Sequence, residues 1–310
     1  MPLHPFVEKM LEAMRASEWK GVAASTPPEA RKFFAARAAQ AGPAPEVGKV
    51  ADVDIPTRAG SIKGRVLMPA DGKPTCLVVF YHGGGWVIGS IDDCDFIARF
   101  MIKATNCAAV LVDYRLAPEH PYPAPLDDSW DALLWSAKEA ERLKVPLVVA
   151  GDSAGGNLAT VCAILARDRG GPKLALQILM YPVCDCDMET ESYRENGRGY
   201  VLTGVDMGWF YDHYLQNDRN KRADPLISPL RALELKGLPP ALIMTAEYDV
   251  LRDEAEIYGK RLAAAGVKVW IKRYRGMTHG FVRLQNFVEV ARTGMDDIAK
   301  AIAETVGQKR

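Results

Sequence analysis

A serine flanked by glycines has the residue types and spacing that covalent acyl-transfer chemistry requires. Residues 151–156 read Gly-Asp-Ser-Ala-Gly-Gly, and they follow an apolar stretch, residues 146–150, that is typical of a buried strand. A G-x-S-x-G turn between a strand and a helix exposes its serine, because glycine tolerates so tight a backbone at little cost. We therefore predict that Ser153 is a nucleophile.

A second glycine-rich segment lies earlier in the chain. Residues 82–86 read His-Gly-Gly-Gly-Trp and follow another strand-like stretch. Backbone N–H groups of such a loop, together with the N–H that follows the nucleophile, are suited to stabilise an oxyanion. We interpret His82 as an organiser of this loop, since it precedes the serine, and Asp152 as structural. The predicted oxyanion donors are the amides of Gly83, Gly84, Gly85 and Ala154.

A serine nucleophile needs an acid and then a base further along the chain. His279 follows a strand-like stretch, whereas His213 lies in an amphipathic helical stretch and is interpreted as packed or solvated. Asp249 is the first aspartate after the apolar stretch 241–246, and Asp253 is expected to begin the next helix. The predicted triad is therefore Ser153, Asp249 and His279.

Six motifs occur in one order along the chain: HGGGW, DYRLAPE, GDSAGG, DPLISPL, the block around Asp249, and THGF. This order resembles the microbial hormone-sensitive-lipase-like esterases, in their GDSAG branch. The resemblance runs from about residue 50 to near the C-terminus, and the first segment resembles the family's N-terminal cap. It implies an α/β-hydrolase fold, the same three triad residues, and backbone oxyanion donors.

Alternating apolar and amphipathic stretches predict a mostly parallel central sheet flanked by helices. Two further helices are expected at residues 5–17 and 27–40, and a hairpin over residues 50–68. The predicted organisation has an N-terminal cap part at 1–45, a catalytic core at 46–183 and 223–310, and an inserted cap segment at 184–222.

Large side chains recur at helical spacing in the insertion, at Met207, Phe210, Tyr211 and Tyr214. This face is compatible either with core packing or with the roof of an acyl pocket, which it would form together with Trp86 and the N-terminal helices. The resemblance favours the roof. We therefore predict a substrate pocket formed by Trp86, Met207, Phe210 and Tyr211. A small apolar pocket gains about 0.8 kcal/mol per buried methylene until it is full, so we expect a preference for acyl groups of about C4 to C8.

The composition disfavours several other classes of function. The 39 basic and 39 acidic residues balance, so no basic patch indicates a nucleic-acid partner. No apolar stretch approaches the roughly 18 residues that stable membrane insertion requires. Six cysteines without a signal-peptide pattern indicate a cytoplasmic location, and Cys184 and Cys186 do not have the spacing of a metal site. We expect a small-molecule ester as partner, no cofactor and no metal; a homodimer is compatible with the sequence.

These observations together predict a carboxylester hydrolase that works through a serine acyl-enzyme. An acyl transferase or an amidase could use the same triad, and this alternative stays open. A non-catalytic ligand receptor, such as the plant gibberellin receptors that resemble this family, is disfavoured because those receptors lack the catalytic histidine and His279 is present here.

Overall fold

An eight-stranded sheet forms the centre of the protein, in a computed structural model that describes residues 2–17, 19–38 and 40–307. The strands are β1 Val50–Thr57, β2 Gly60–Leu67, β3 Leu77–Tyr81, β4 Ala108–Asp113, β5 Leu147–Asp152, β6 Leu174–Met180, β7 Ala241–Tyr248 and β8 Val269–Thr278. Their order across the sheet is β1-β2-β4-β3-β5-β6-β7-β8. The pairs β1–β2 and β2–β4 are antiparallel and the remaining pairs are parallel, which confirms the predicted mostly parallel sheet.

Helices cover both faces of this sheet. They are α1 Pro5–Ala16, α2 Pro27–Ala38, α3 Ile91–Thr105, α4 Ala124–Leu143, α5 Ala154–Asp168, α6 Glu191–Asn196, α7 Gly204–Leu215, α8 Arg252–Ala264 and α9 Glu289–Val306. Alternate residues of each central strand point to opposite faces: Val79 belongs to the core cluster that includes residues of α4, α5 and α8, and Val78 to the cluster that includes residues of α3 and α9. Because both faces are buried, the parallel strands read as continuous apolar stretches.

The N-terminal helices begin where the sequence provides a start signal. Pro5 occupies the first turn of α1, and the His4 side chain accepts a hydrogen bond from Phe6 N at 3.2 Å. Both helices end slightly before their predicted limits: α1 ends at Ala16 and α2 at Ala38. The predicted extension of α2 includes residue 39, which lies outside the described residues, as do residues 308–310 at the end of the predicted core.

Helices α6 and α7 lie between β6 and β7, where a helical insertion was predicted. A capping box starts α7: the Thr203 side chain accepts from Asp206 N, and the Asp206 carboxylate accepts from Thr203 N at 3.1 Å. Helix α2 is attached to the core through Arg31, which donates to Val87 O at 2.8 Å and to Ala117 O at 2.9 Å.

Across the described ranges of the chain, we find no helix with both the length and the apolar character needed to cross a bilayer.

Candidate active site

Ser153 occupies a sharp turn between β5 and α5. Its φ of 57° and ψ of −121° are unfavourable for a residue with a side chain, so the surrounding packing must hold this conformation. The neighbouring glycines are required by close backbone contacts: a Cβ on Gly151 would lie 2.8 Å from Gly156 N, and one on Gly155 would lie 2.6 Å from His82 O. The turn therefore has the geometry of a nucleophile elbow.

The structure brings Ser153, His279 and Asp249 into one hydrogen-bonded chain. His279 Nε2 lies 2.9 Å from Ser153 Oγ, and His279 Nδ1 lies 2.7 Å from Asp249 Oδ2. The three residues follow β5, β8 and β7, and the carboxyl ends of parallel strands meet at one edge of the sheet. The buried Asp249 carboxylate also accepts from Leu251 N at 3.0 Å, while Asp253 points elsewhere and accepts from Ser192 N.

The glycine loop presents fewer free amides than the sequence predicted. Gly83 N donates to Asp152 Oδ1 at 2.7 Å, so this amide is occupied and its predicted role as an oxyanion donor is wrong. Within the described residues, the amides of Gly84, Gly85 and Ala154 have no protein acceptor. These three N–H groups are the ones available to a developing negative charge next to Ser153.

His82 and Asp152 stabilise the glycine loop through hydrogen bonds and ring stacking, and both have the structural role that the sequence analysis expected. The buried His82 ring stacks on Tyr114 at 4.2 Å, and Tyr114 Oη donates to His82 O at 2.7 Å. Burial lowers the pKa of His82, which favours the neutral ring. Asp152 Oδ2 also accepts from Arg283 Nη2 at 3.1 Å, so both carboxylate oxygens are engaged, one by the glycine loop and one by Arg283.

A cavity of about 420 Å³ opens onto Ser153 and His279. Its floor includes the glycine loop, and its walls come from the N-terminal helices, from residues 201–210 and from the segment that follows His279. The apolar wall residues are Phe6, Met10, Phe34, Ala41, Ile88, Phe96, Val183, Val201, Leu202, Met207, Phe210, Leu284 and Phe287. The nucleophile therefore faces a space that suits a small, largely apolar ligand.

Known proteins share both this sequence and this architecture. A sequence profile of the α/β hydrolase fold family matches residues 78–283. The carboxylic ester hydrolase LipN of Mycobacterium tuberculosis is 39% identical over 309 residues, covering 97% of this chain and 82% of that protein. The chain belongs to the α/β hydrolase fold family. The predicted resemblance to hormone-sensitive-lipase-like esterases is thereby confirmed for the family and the fold.

Further relatives of this α/β hydrolase match along nearly their whole length. The ethyl acetate hydrolase of Pseudomonas putida is 33% identical and covers 98% of this chain and 99% of that protein. Among solved structures, a hyperthermophilic esterase from the archaeon Pyrobaculum calidifontis has a TM-score of 0.92 at 38% identity, covering 98% of this chain and 99% of that chain. A thermostable esterase from Pseudomonas putida ECU1011 has a TM-score of 0.93 at 35% identity, with 98% of each chain covered.

The cavity wall of this α/β hydrolase corrects half of the predicted substrate pocket. Met207 and Phe210 line the cavity as expected, but Trp86 and Tyr211 do not. The fully buried Trp86 ring stacks on Tyr214 at 4.2 Å, and the Tyr211 hydroxyl donates to a backbone carbonyl, Asp185 O, at 2.9 Å. Both side chains therefore belong to the core, because their neighbours on α7 and the loops enclose them completely.

The N-terminal helices contribute to this wall, as expected for the roof of the pocket, but the sequence analysis did not predict which of their residues do so. Phe6 and Met10 lie on one face of α1, and the amphipathic pattern of that helix was the available signal. Phe34 and Arg37 on α2 had no comparable signal, because that helix has little amphipathic character. Phe287 completes the mouth, where its ring stacks on Phe6 at 5.1 Å.

A buried carboxyl lies behind the acid of the triad in this α/β hydrolase. Glu254 is inaccessible to solvent and accepts hydrogen bonds from Cys184 N at 2.7 Å and from Asp185 N at 3.2 Å. Burial raises the pKa of Glu254 well above its usual value; the two backbone hydrogen bonds oppose this shift, and the charges of Asp185 and Asp249 add to it. Burial therefore favours the protonated form of Glu254 more than it would for an exposed glutamate.

Proposed function

We propose that this protein is a serine carboxylesterase that hydrolyses small to medium acyl esters. The observation that carries the proposal is the hydrogen-bonded chain from Ser153 Oγ through His279 to the buried Asp249 carboxylate. The names of the relatives support the same chemistry, since they include a carboxylic ester hydrolase and an ethyl acetate hydrolase.

The proposed reaction begins when His279 Nε2 accepts the proton of Ser153 as Oγ attacks the ester carbonyl. Asp249 orients the imidazole and stabilises its charged form. The amides of Gly84, Gly85 and Ala154 donate to the oxyanion, as their free N–H groups allow. His279 then protonates the departing alcohol, and water hydrolyses the acyl-enzyme by the same route.

We propose a domain organisation in which residues 46–183 and 223–310 form the catalytic core and carry the triad and the oxyanion donors. Residues 1–45 and 184–222 then form the roof. The cavity supports this domain organisation, because its floor comes from the ends of the core strands and its upper wall includes α1, α2 and α7. The segment 283–287, which belongs to the core, also contributes to the mouth.

The same cavity supports a limit on acyl length. Met207 and Phe210 close the wall beside the glycine loop, and a Cβ on Gly85 would overlap the Phe210 ring. Each methylene that enters gains about 0.8 kcal/mol until these side chains are reached. We propose an optimum at about C4 to C8, because further methylenes would clash or remain in water.

We also propose a cytoplasmic location. All six cysteines are buried free thiols, which fits a reducing compartment. Fractionation of the native host cells, with an antibody against the purified protein, tests this proposal, and recovery outside the cytoplasmic fraction would contradict it.

The decisive experiment for the proposed chemistry is Ser153→Ala, assayed with p-nitrophenyl butyrate. We expect kcat to fall by several orders of magnitude, leaving about 10³–10⁴-fold acceleration over water from the oxyanion donors and binding. Circular dichroism and a melting temperature control for folding. A variant that keeps more than about a tenth of the turnover would exclude Ser153 as the nucleophile.

Added alcohol or amine acceptors in the wild-type assay distinguish hydrolysis from acyl transfer, and amide analogues of the substrate test for amidase activity.

A further inference from the structure

Arg37 is a cation on the cavity wall whose guanidinium has no anionic partner among the described residues. Its Nη1 donates to Met14 Sδ at 3.5 Å, and its Nη2 lies 3.9 Å from Met10 Sδ. A thioether sulfur is a weak acceptor, whereas a guanidinium carries five N–H donors. Over the ranges that the structure covers, no carboxylate lies within ion-pair distance of Arg37. Most of its capacity to donate hydrogen bonds is therefore unused by the protein.

Other arginines near the cavity are satisfied by the protein itself. Arg283, which also lines the cavity, pairs with Asp152 at 3.1 Å. Arg31, which lies on the same helix as Arg37, pairs with Glu119 at 2.6 Å. These contacts fix the glycine loop and helix α2. The unmet hydrogen-bonding capacity of Arg37 is therefore not a general property of the arginines in this part of the fold.

The carboxylates that line the cavity have partners of their own. Asp92 accepts from Arg65 Nη1 at 2.8 Å, and Asp93 accepts from the Ser90 hydroxyl at 3.2 Å. Neither carboxylate makes an ion pair with Arg37. Among the described residues of the cavity wall, no carboxylate therefore pairs with Arg37.

The electrostatic surroundings of Arg37 agree with the contacts. Burial lowers the pKa of Arg37, and the positive charge of Arg283 lowers it further. A bound anion would reverse both effects, because it would compensate the desolvated charge and accept the free N–H groups. Phe6, Phe34 and Phe287 line the same cavity and would contact the hydrocarbon part of such a ligand.

We propose that Arg37 binds a carboxylate carried by the substrate, so that the preferred esters bear an acid group on either their acyl or their alcohol part. This inference rests on the proposed esterase function, because Arg37 would hold the acid group while Ser153 attacks the ester carbonyl in the same cavity. A planar guanidinium matches a carboxylate in two parallel hydrogen bonds, which makes Arg37 a determinant of substrate specificity.

Two substrate pairs test the inference and distinguish the position of the acid. The acyl pair is the mono-p-nitrophenyl ester of glutaric acid and its methyl-capped neutral analogue. The alcohol pair is 4-acetoxybenzoate and its methyl ester. The measured quantity is the ratio of kcat/KM for the acidic ester to that for the neutral ester. In Arg37→Met we expect this ratio to fall about tenfold or more in at least one pair, because a charged hydrogen bond is lost.

Matched variants separate this role from general effects of charge or folding. Lys32→Met removes an exposed positive charge from the same helix, away from the cavity, and should leave both ratios unchanged. Arg37→Lys should keep part of the preference, since it retains the charge without the bidentate geometry. If Arg37→Met does not fold, Arg37→Gln replaces it, with the same fall expected.

The inference is overturned if both ratios stay within about threefold of the wild-type values while the neutral esters are hydrolysed normally. That result would leave the proposed esterase function intact. Failure of the wild-type enzyme to hydrolyse any of the four esters would instead refute the proposed function, and the inference with it.

Discussion

Gly85 and Phe210 provide a direct test of the proposed oxyanion site. Gly85 has a φ of 58°, and a Cβ added there would lie 2.6 Å from Phe210 Cε1 and closer to two other ring atoms. Because non-bonded carbons settle about 3.5–4.0 Å apart, the ring or the glycine loop must move by roughly 1 Å in Gly85→Ala. A misplacement of that size costs about 10²-fold in rate when it affects a positioned catalytic group.

We therefore expect Gly85→Ala to lower kcat/KM for p-nitrophenyl butyrate by about 10²–10³-fold, the range for loss of one oxyanion donor. Removal of the obstructing ring should relieve most of this loss. In the double variant with Phe210→Ala, the remaining strain is that of an alanine at positive φ, about 1–2 kcal/mol. The double variant should therefore recover to within roughly tenfold of Phe210→Ala alone.

The matched control for this experiment is Gly84→Ala. A Cβ on Gly84 would lie 2.6 Å from the backbone carbon of Ile88, and its three nearest neighbours would all be atoms of Ile88 rather than of Phe210. Phe210→Ala should therefore fail to rescue Gly84→Ala. Each variant is assayed below its melting temperature, since Phe210→Ala also leaves a cavity in the wall. If the double variant with Gly85→Ala remains as slow as Gly85→Ala itself, contact with Phe210 is not what limits this position.

Three further predictions concern the pocket, the acid and pH. Met207→Ala should move the optimum to longer acyl chains. Tyr211→Phe should instead cost about 1–3 kcal/mol of stability and leave the acyl profile unchanged, because it leaves a buried carbonyl without its hydrogen-bond donor. A series of esters of increasing acyl length, together with melting curves, checks both variants, and a shifted acyl profile for Tyr211→Phe would show that this residue lines the pocket. Asp249→Asn should depress kcat by about 10⁴-fold, as expected for a triad aspartate, and Asp253→Asn only mildly, so the reverse order would overturn the assignment of the acid. Burial raises the pKa of Glu254 in the folded state. Its contribution to stability is therefore complete below about pH 4.3, the pKa of an unfolded glutamate. This contribution is lost as the pH rises towards the folded-state pKa. The melting temperature of Glu254→Gln relative to the wild type should therefore increase from acid to alkaline pH, and a constant difference would argue against a protonated Glu254.

The nucleophile turn could be predicted from sequence because its constraints are local. Gly151 and Gly155 lie within two residues of Ser153, and the contacts that exclude a side chain at Gly151 come from the same turn. The assignments of Asp249 and His279 followed from the order of acid and base after the nucleophile, and from their positions just after strand-like stretches. Both inferences need only local motifs and their order along the chain.

The errors arose where distant side chains decide the outcome. The amide of Gly83 is occupied by Asp152, which lies 69 residues away in sequence, and no local pattern reveals that contact. The helical spacing of Tyr211 correctly predicted a buried face, but periodicity does not distinguish a core neighbour from a cavity. Trp86 was misassigned because its stacking partner, Tyr214, lies on a separate segment that the glycine-loop motif does not reveal.

The cavity wall and the reacting groups come from different stretches of the chain. The triad residues sit at the ends of core strands, whereas α1, α2 and α7 supply much of the wall. Substitutions in those helices can accumulate during evolution without altering the strands that hold Ser153, Asp249 and His279. New substrate ranges are thus accessible through mutation of the roof alone, and a directed-evolution library confined to these helices would sample ligand shape while it conserves the chemistry.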